Sequence, residues 1–129
     1  WFDPIGLLIE PGQTIRWINK DAGNSHTATA YHPANFGRPR RIPEAAAPWD
    51  TDYLLPGEAF AITLMEPGVY DYFCAPHEEA GMVGRIIVGS PRPQGWMNIA
   101  GIDDGVPETA LRAFPSVEEI MTRRIVRRA

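Results

Sequence analysis

Residues 72–89 read YFCAPHEEAGMVGRIIVG. The stretch holds the chain's one cysteine, Cys74, with His77 three positions later and Met82 five positions after that. An apolar segment, GRIIVG, follows at once. A thiol, an imidazole and a thioether on one short loop are soft and borderline donors, and together they suit copper. A mononuclear electron-transfer copper site needs a second histidine. His26 lies 48 positions before Cys74, in NKDAGNSHTATA, ahead of a candidate strand on another segment. Three strong donors would then form a trigonal plane, with Met82 as the weak axial one. On residue type alone, His32 is an alternative to His26 and Glu79 an alternative to Met82.

Outward from this loop the sequence alternates. Ile15 and Trp17 share one face of QTIRWIN, and Phe60, Ile62 and Leu64 share one face of FAITLM, opposite Ala59, Ala61 and Thr63. In VYDYF, Tyr70 and Tyr72 oppose Val69, Asp71 and Phe73. Period two marks half-buried strands. Pro11-Gly12, Pro56-Gly57 and Pro67-Gly68 separate these segments and read as turns. Short strands punctuated in this way predict an antiparallel sandwich or barrel. Residues 32–50, HPANFGRPRRIPEAAAPWD, have no clear period and read as a long loop, with a helical turn at Glu44 to Ala47. Its RPRR cluster is either a solubilising charge run or a surface that steers an acidic partner.

At 129 residues the chain is one domain with room for an appendage. Its net charge of −4 gives no electrostatic support to a nucleic-acid partner. No apolar run is long enough to span a membrane. The chain starts at Trp1, without a methionine and directly in strand-like sequence. The expectation from this start is that a targeting or anchoring segment was removed or not included. One cysteine forms no internal disulfide and does not by itself fix the compartment.

Composition changes after Ser90. SPRPQG reads as a linker, and PSVEEIMTRRIVRR as a helix capped by Ser116 with Glu119 completing a capping box. Val117, Ile120, Met121, Ile125 and Val126 fall on one side of that helix, with Glu118 and Arg123, Arg124, Arg127 and Arg128 on the other. So short a helix is marginal alone, so its stripe must bury against something. The expected place is the chain's own sandwich, covering a sheet face or the place of a missing first strand; the alternative is a tether to another protein. Met65, Met97 and Met121 are expected to be packing residues, and Glu78 and Glu79 to be solvated.

The segments FDP…LLIEPGQTIRWIN, SHT, LLPGEAF and EPGVYDYFCAPHEEAGMVGRIIVG together resemble the small blue copper proteins, or cupredoxins, of the plastocyanin, pseudoazurin and amicyanin kind. The resemblance covers roughly residues 2 to 89 and not the tail. It implies an all-β, Greek-key antiparallel β-sandwich, with a cupredoxin domain at 1–89 and a C-terminal extension at 90–129 that ends in a short helix. It implies one type 1 copper held by His26, Cys74, His77 and Met82. Pro76 lacks an N–H, so the resemblance leaves the backbone N–H of Thr27 as the main donor to the Cys74 sulfur. Many relatives have asparagine where this chain has Thr27, which leaves open a side-chain lock between the two ligand loops. In relatives a strand precedes the F-x-P segment, and here the tail stretch GWMNIAG is a candidate for its place.

The resemblance further implies a one-electron carrier working with redox partner proteins that dock near His77, Pro76, Ala80 and Gly81. It implies a periplasmic, extracellular or lumenal setting. A second function class is a copper-holding subunit fixed in a larger redox assembly. Enzymatic readings fail on counting: a binuclear purple copper centre needs two cysteines, and a multicopper oxidase or copper nitrite reductase needs more than three histidines. No nucleophile-elbow motif is present.

Overall fold

The computed structural model describes residues 1–90 and 105–128. Among the described residues seven strands run in the order β1 Gly6–Ile9, β2 Thr14–Ile18, β3 Thr29–Ala30, β4 Ala59–Thr63, β5 Gly68–Phe73, β6 Val83–Val88 and β7 Ile125–Val126. A 3-10 helix, Ala75–Ala80, lies between β5 and β6, and two short helices, α1 Glu108–Ala113 and α2 Val117–Arg123, lie in the tail. Five strands form one sheet in the order β3-β5-β6-β1-β7, and β2 pairs with β4 in a second. All pairings are antiparallel except β1 with β6, which run parallel in the register Gly6↔Arg85 to Ile9↔Val88. The β-sandwich expected from the alternation is present, with a mixed rather than purely antiparallel large sheet.

Turn chemistry explains the short loops. Gln13 N–H closes on Glu10 carbonyl and Glu58 N–H on Leu55 carbonyl. Pro11 and Pro56 take the first central position, and Gly12 and Gly57 the second at φ +91° and +87°, values only glycine adopts freely. The segment at Glu44–Ala47 is a single turn, closed by Ala46 N–H on Pro43 carbonyl.

The sandwich core lies between the two sheets. Ile15 and Trp17 of β2 meet Tyr70 and Tyr72 of β5, Ile86 and Val88 of β6, and Trp49 of the long loop. Trp17 stacks on Trp49 at 5.6 Å and meets Tyr72 edge-on at 5.3 Å, arrangements that aromatic quadrupoles favour. In β4 the alternation holds, with Ala59, Ala61 and Thr63 exposed. In β5 it does not, because all six residues are buried. The tail supplies the reason. Val69 packs with Ile87, Ile120 and Val126, and Phe73 with Tyr31, Val83, Val106 and Ala110. The outer face of the large sheet is therefore a second core, roofed by α1 and α2.

Between these two outer clusters sits a buried charge. Asp71 is fully buried, accepts two bonds from Arg85, at 2.7 and 3.0 Å, and one from Arg41 Nε at 3.0 Å. Phe114 of the tail lies over both guanidiniums, at 5.4 and 4.8 Å, and Pro115 carbonyl accepts from Arg85 Nη1 at 2.9 Å. A buried carboxylate persists only when paired in this manner. The RPRR cluster is thus largely structural rather than a steering or solubilising surface: Arg38 binds Glu78 and Arg41 binds Asp71.

The tail docks on its own sandwich, but not as one long helix. Ser116 Oγ accepts from Glu119 N–H at 3.0 Å, the N-cap half of the expected capping box, while the Glu119 carboxylate lies 3.6 Å from Arg123. The helix then stops at Arg123, and Arg124 turns the chain at φ +69°. Ile125 and Val126 leave the expected helical stripe and pair with Leu7 and Gly6. Strand β1 has an open edge whose backbone groups need partners, and the tail satisfies them. Ile125 is accordingly 52% exposed while Val126 is buried. Arg127 reaches Asp3 at 2.7 Å. The stretch GWMNIAG and Met97 lie outside the described residues. Met65, expected to pack, is 63% exposed, whereas Met121 packs beside Ile120. Among the described residues no helix is long and apolar enough to cross a membrane.

Candidate metal centre

The loop between β5 and β6 is stitched by its own backbone. Cys74 N–H donates to Met82 carbonyl at 3.0 Å, Met82 N–H to His77 carbonyl at 3.1 Å, and His77 N–H to Cys74 carbonyl at 3.0 Å. These bonds fix the three loop residues relative to one another. His26 comes from the other side. Its backbone makes an isolated bridge with Leu54, N–H to carbonyl in both directions at 3.2 and 2.8 Å.

The donor atoms converge. Cys74 Sγ lies 3.3 Å from His77 Nδ1 and 3.7 Å from His26 Nδ1. The two imidazoles sit 4.9 Å apart and tilted, and donor atoms of all three residues fall within 4.8 Å of one another. Met82 is buried and lines the same cleft of about 410 Å³ as His26. A first-row ion bonded at about 2.3 Å to sulfur and about 2.0 Å to nitrogen would place those atoms roughly 3.5–3.8 Å apart. The observed separations fit a single ion held by one sulfur and two nitrogens. His32 is not in this cluster; its Nδ1 accepts from Ala34 N–H in a surface turn. Glu79 is exposed and outside it too.

Thr27 N–H donates to Cys74 Sγ at 3.4 Å, the contact expected where Pro76 cannot donate. Burial pushes the Cys74 thiol up, against the pull of this N–H and that of His77. Thr27 also supplies the side-chain lock that its difference from asparagine left open. Its Oγ1 accepts from Ala75 N–H at 2.8 Å, tying the His26 segment to the Cys74 loop.

Around the ligand loop the structure departs from the solvated picture. Glu78 is nearly covered, with 12% of its side chain exposed. Tyr31 hydroxyl donates to Glu78 Oε2 at 2.5 Å, and Arg38 Nη2 donates to the same oxygen. Burial and the Glu78 charge push the Tyr31 phenol well above its ordinary range. From the tail, Thr109 hydroxyl donates to Glu79 carbonyl at 2.7 Å, and α1 lies over Gly81. Gly81 is therefore buried and does not join an exposed rim with Pro76 and Ala80, which are exposed.

The description "copper binding proteins, plastocyanin/azurin family" matches residues 1–89. The chain belongs to that family. Copper is the cofactor of such a cupredoxin, and the donor set assembled here suits it. The chain is similar to the chloroplastic plastocyanin of Chlamydomonas reinhardtii, 40% identical over 88 residues that cover 67% of this chain and 57% of that protein. It is 33% identical to the chloroplastic plastocyanin of Hordeum vulgare over 87 residues, covering 67% of this chain and 54% of that one. The chain thus spans little more than half the length of these curated relatives. A pseudoazurin from Sinorhizobium meliloti has a similar structure, with a TM-score of 0.64 and 31% identity over 94% of this chain and 80% of its own. That coverage extends the structural likeness beyond residue 89 into the tail.

Some contributors to this cupredoxin's site were not visible in the sequence. Tyr31, Arg38 and Glu78 come from separate segments that only the fold joins. Asp21, five positions before His26, carried a usable signal: NKDAGN is the composition of a tight Asx-type turn, which aims its carboxylate locally.

Proposed function

We propose that this cupredoxin is a one-electron carrier whose copper would be held by His26 Nδ1, the Cys74 thiolate, His77 Nδ1 and, more weakly, the Met82 thioether. The bound copper supplies the chemistry, gaining one electron to pass from Cu(II) to Cu(I) and losing it again. The protein's part is to keep the donors still through both changes of charge. The observation that carries the reading is the convergence of one thiol and two imidazole nitrogens inside a backbone-locked loop. Preorganised donors of this kind need little rearrangement when the metal changes charge.

Electrons enter, in this reading, through His77, which is partly exposed between exposed Pro76 and Ala80. An apolar rim lets a redox partner protein approach without stripping water from charges. Kinship with plastocyanins and a pseudoazurin supports a mobile carrier over a subunit fixed in a larger assembly. The same kinship supports a periplasmic, extracellular or lumenal place of work. Residues 1–89 form the cupredoxin domain in this proposal, and 90–129 a C-terminal extension whose described residues, 105–128, pack on it.

Copper titration of the full chain tests the reading. One copper per chain with an intense blue absorption is expected, and Cys74→Ser should abolish the colour even where copper is retained. A blue Cys74→Ser protein, or a silent His26→Ala beside a colourless His32→Ala, would sink the ligand assignment. Ala80→Glu should slow electron exchange with a redox partner and leave the spectrum alone; unaltered rates would move the entry point elsewhere.

A further inference from the structure

A metal-binding imidazole needs its other nitrogen held, because that second bond fixes the ring's tautomer and sets its donor strength. The two histidines of this site are held differently. His26 Nδ1 faces Cys74 Sγ at 3.7 Å, and its Nε2 lies 2.8 Å from Asp21 Oδ2. A carboxylate only accepts, so Nε2 carries the proton and Nδ1 keeps its lone pair toward the thiol. Among the described residues, no carboxylate reaches the ring of His77.

Asp21 is itself built into place. Its Oδ1 accepts from Gly23 N–H at 2.9 Å, its Oδ2 accepts from Asn24 Nδ2 at 3.1 Å, and its own N–H donates to Asn19 Oδ1 at 2.9 Å. Asn19 is buried and donates from Nδ2 to the carbonyls of Asn24 and Leu54, both at 2.8 Å. Leu54 is the bridge partner of the His26 backbone. One closed set of hydrogen bonds therefore positions the ligand's main chain, its ring and the carboxylate behind the ring. Three donors, from His26, Gly23 and Asn24, converge on the part-exposed Asp21 carboxylate, the arrangement that suits its ionised form.

We propose that Asp21 is a positioning residue that sets the reduction potential, its fixed charge making His26 the stronger of the two imidazole donors. This rests on the carrier reading. A negative charge one ring away from the metal favours Cu(II), with its extra positive charge, over Cu(I). The potential therefore lies below that of the same four donors without the carboxylate. Asp21 is 40% exposed, so solvent weakens the effect. The lower end of the usual 10- to 100-fold range for such outer partners applies. An approximately tenfold change in the Cu(II)-to-Cu(I) preference corresponds to about 59 mV for one electron.

Asp21→Asn in the full chain removes the charge and keeps a carbonyl that can accept from Nε2. We expect a blue protein with unchanged Cu(I) affinity, about tenfold weaker Cu(II) affinity and a correspondingly higher midpoint potential. An unmoved potential in a protein that still binds copper overturns the proposal and leaves the carrier reading intact. In Asp21→Ala the ring loses its partner, and the copper EPR hyperfine splitting should change as well. The metal-free protein gives a separate readout. Long-range proton–nitrogen NMR should find His26 in the Nε2–H tautomer in the wild type and as a tautomer mixture in Asp21→Ala. A wild type in the Nδ1–H tautomer refutes the positioning role whether or not copper binds. A wild type that never turns blue refutes the carrier reading, and the tautomer result still decides Asp21.

Discussion

Ile120→Ala is the sharpest test of how the tail sits. Ile120 is fully buried and packs with Ile5, Val69, Ile87 and Val126 on the outer face of the large sheet. Gly6 lies directly beneath it: a Cβ added there would meet Ile120 Cγ1 at 2.8 Å, so the Ile120 side chain packs straight onto the backbone of β1. The substitution deletes three carbons. At about 0.8 kcal/mol each, the transfer term alone is about 2.4 kcal/mol. The cavity left behind adds to it, because β1 and β6 below are pinned by their own ladder, and such changes cost roughly 2–5 kcal/mol in all. We expect about 3 kcal/mol, a large share of the roughly 5–15 kcal/mol that holds a domain together. Urea unfolding of the full metal-free chain, followed by tryptophan fluorescence, reads it directly. The blue absorption of the loaded protein should be unchanged, since this cluster contains none of the four proposed ligands. A loss under about 0.5 kcal/mol, the range of an ordinary surface substitution, would mean that the helix is not docked in solution and would refute the second core.

Thr27→Val should cost about 1–3 kcal/mol, because Ala75 N–H loses its buried acceptor. Thr29, which also donates to Thr27, keeps Asp50. Denaturant titration checks this, and a neutral result would show that the lock between the ligand loops contributes nothing. Met82→Leu should keep the blue colour and raise the midpoint potential, because an axial donor to Cu(II) is lost; an unmoved or lowered potential would remove Met82 from the set. Stability should also fall in alkali. Burial raises the phenols of Tyr31, Tyr70 and Tyr72, with Tyr70 pushed up to about 12. A raised phenol keeps its proton in the folded chain where the unfolded chain loses it. The contribution is whole below about pH 10 and lost above it, at about 1.4 kcal/mol per pH unit for each tyrosine. Unfolding free energies that stay level as pH rises past 10 would contradict the burial of these rings.

The sheet pattern was legible where one face meets water. Strands β2 and β4 show this, since their outward residues are exposed and their inward ones face the core. It misled at β5, where Asp71 reads as an outward polar residue and is fully buried. Alternation tells which residues share a face, but not what covers that face. The cover comes from residues some forty positions further on, through Phe114 and Pro115 over Arg85 and Arg41. The last helix, Val117–Arg123, is shorter than its periodic pattern for a related reason. Ile125 and Val126 fit the helical stripe by period, and the open edge of β1 outweighs it. Local pattern sets what a segment can form, and the unsatisfied edge of a distant strand decides between the options.

The ligand loop is the place where these two layers meet. Cys74, His77 and Met82 are spaced for one site by local sequence, and the backbone bonds among them need no help from elsewhere. Yet the loop is also clamped from outside. Thr27 holds it at Ala75, Tyr31 and Arg38 hold it at Glu78, and Thr109 holds it at Glu79. These contacts come from three separate parts of the chain, one of them the tail. A loop held at Ala75, Glu78 and Glu79 has little freedom to follow a change in metal charge, and low reorganisation is what the proposed one-electron carrier asks of its ligands. The tail therefore belongs to the same physical argument as the ligands: by burying the outer face of the sheet it also fixes the far side of the loop that carries Cys74, His77 and Met82.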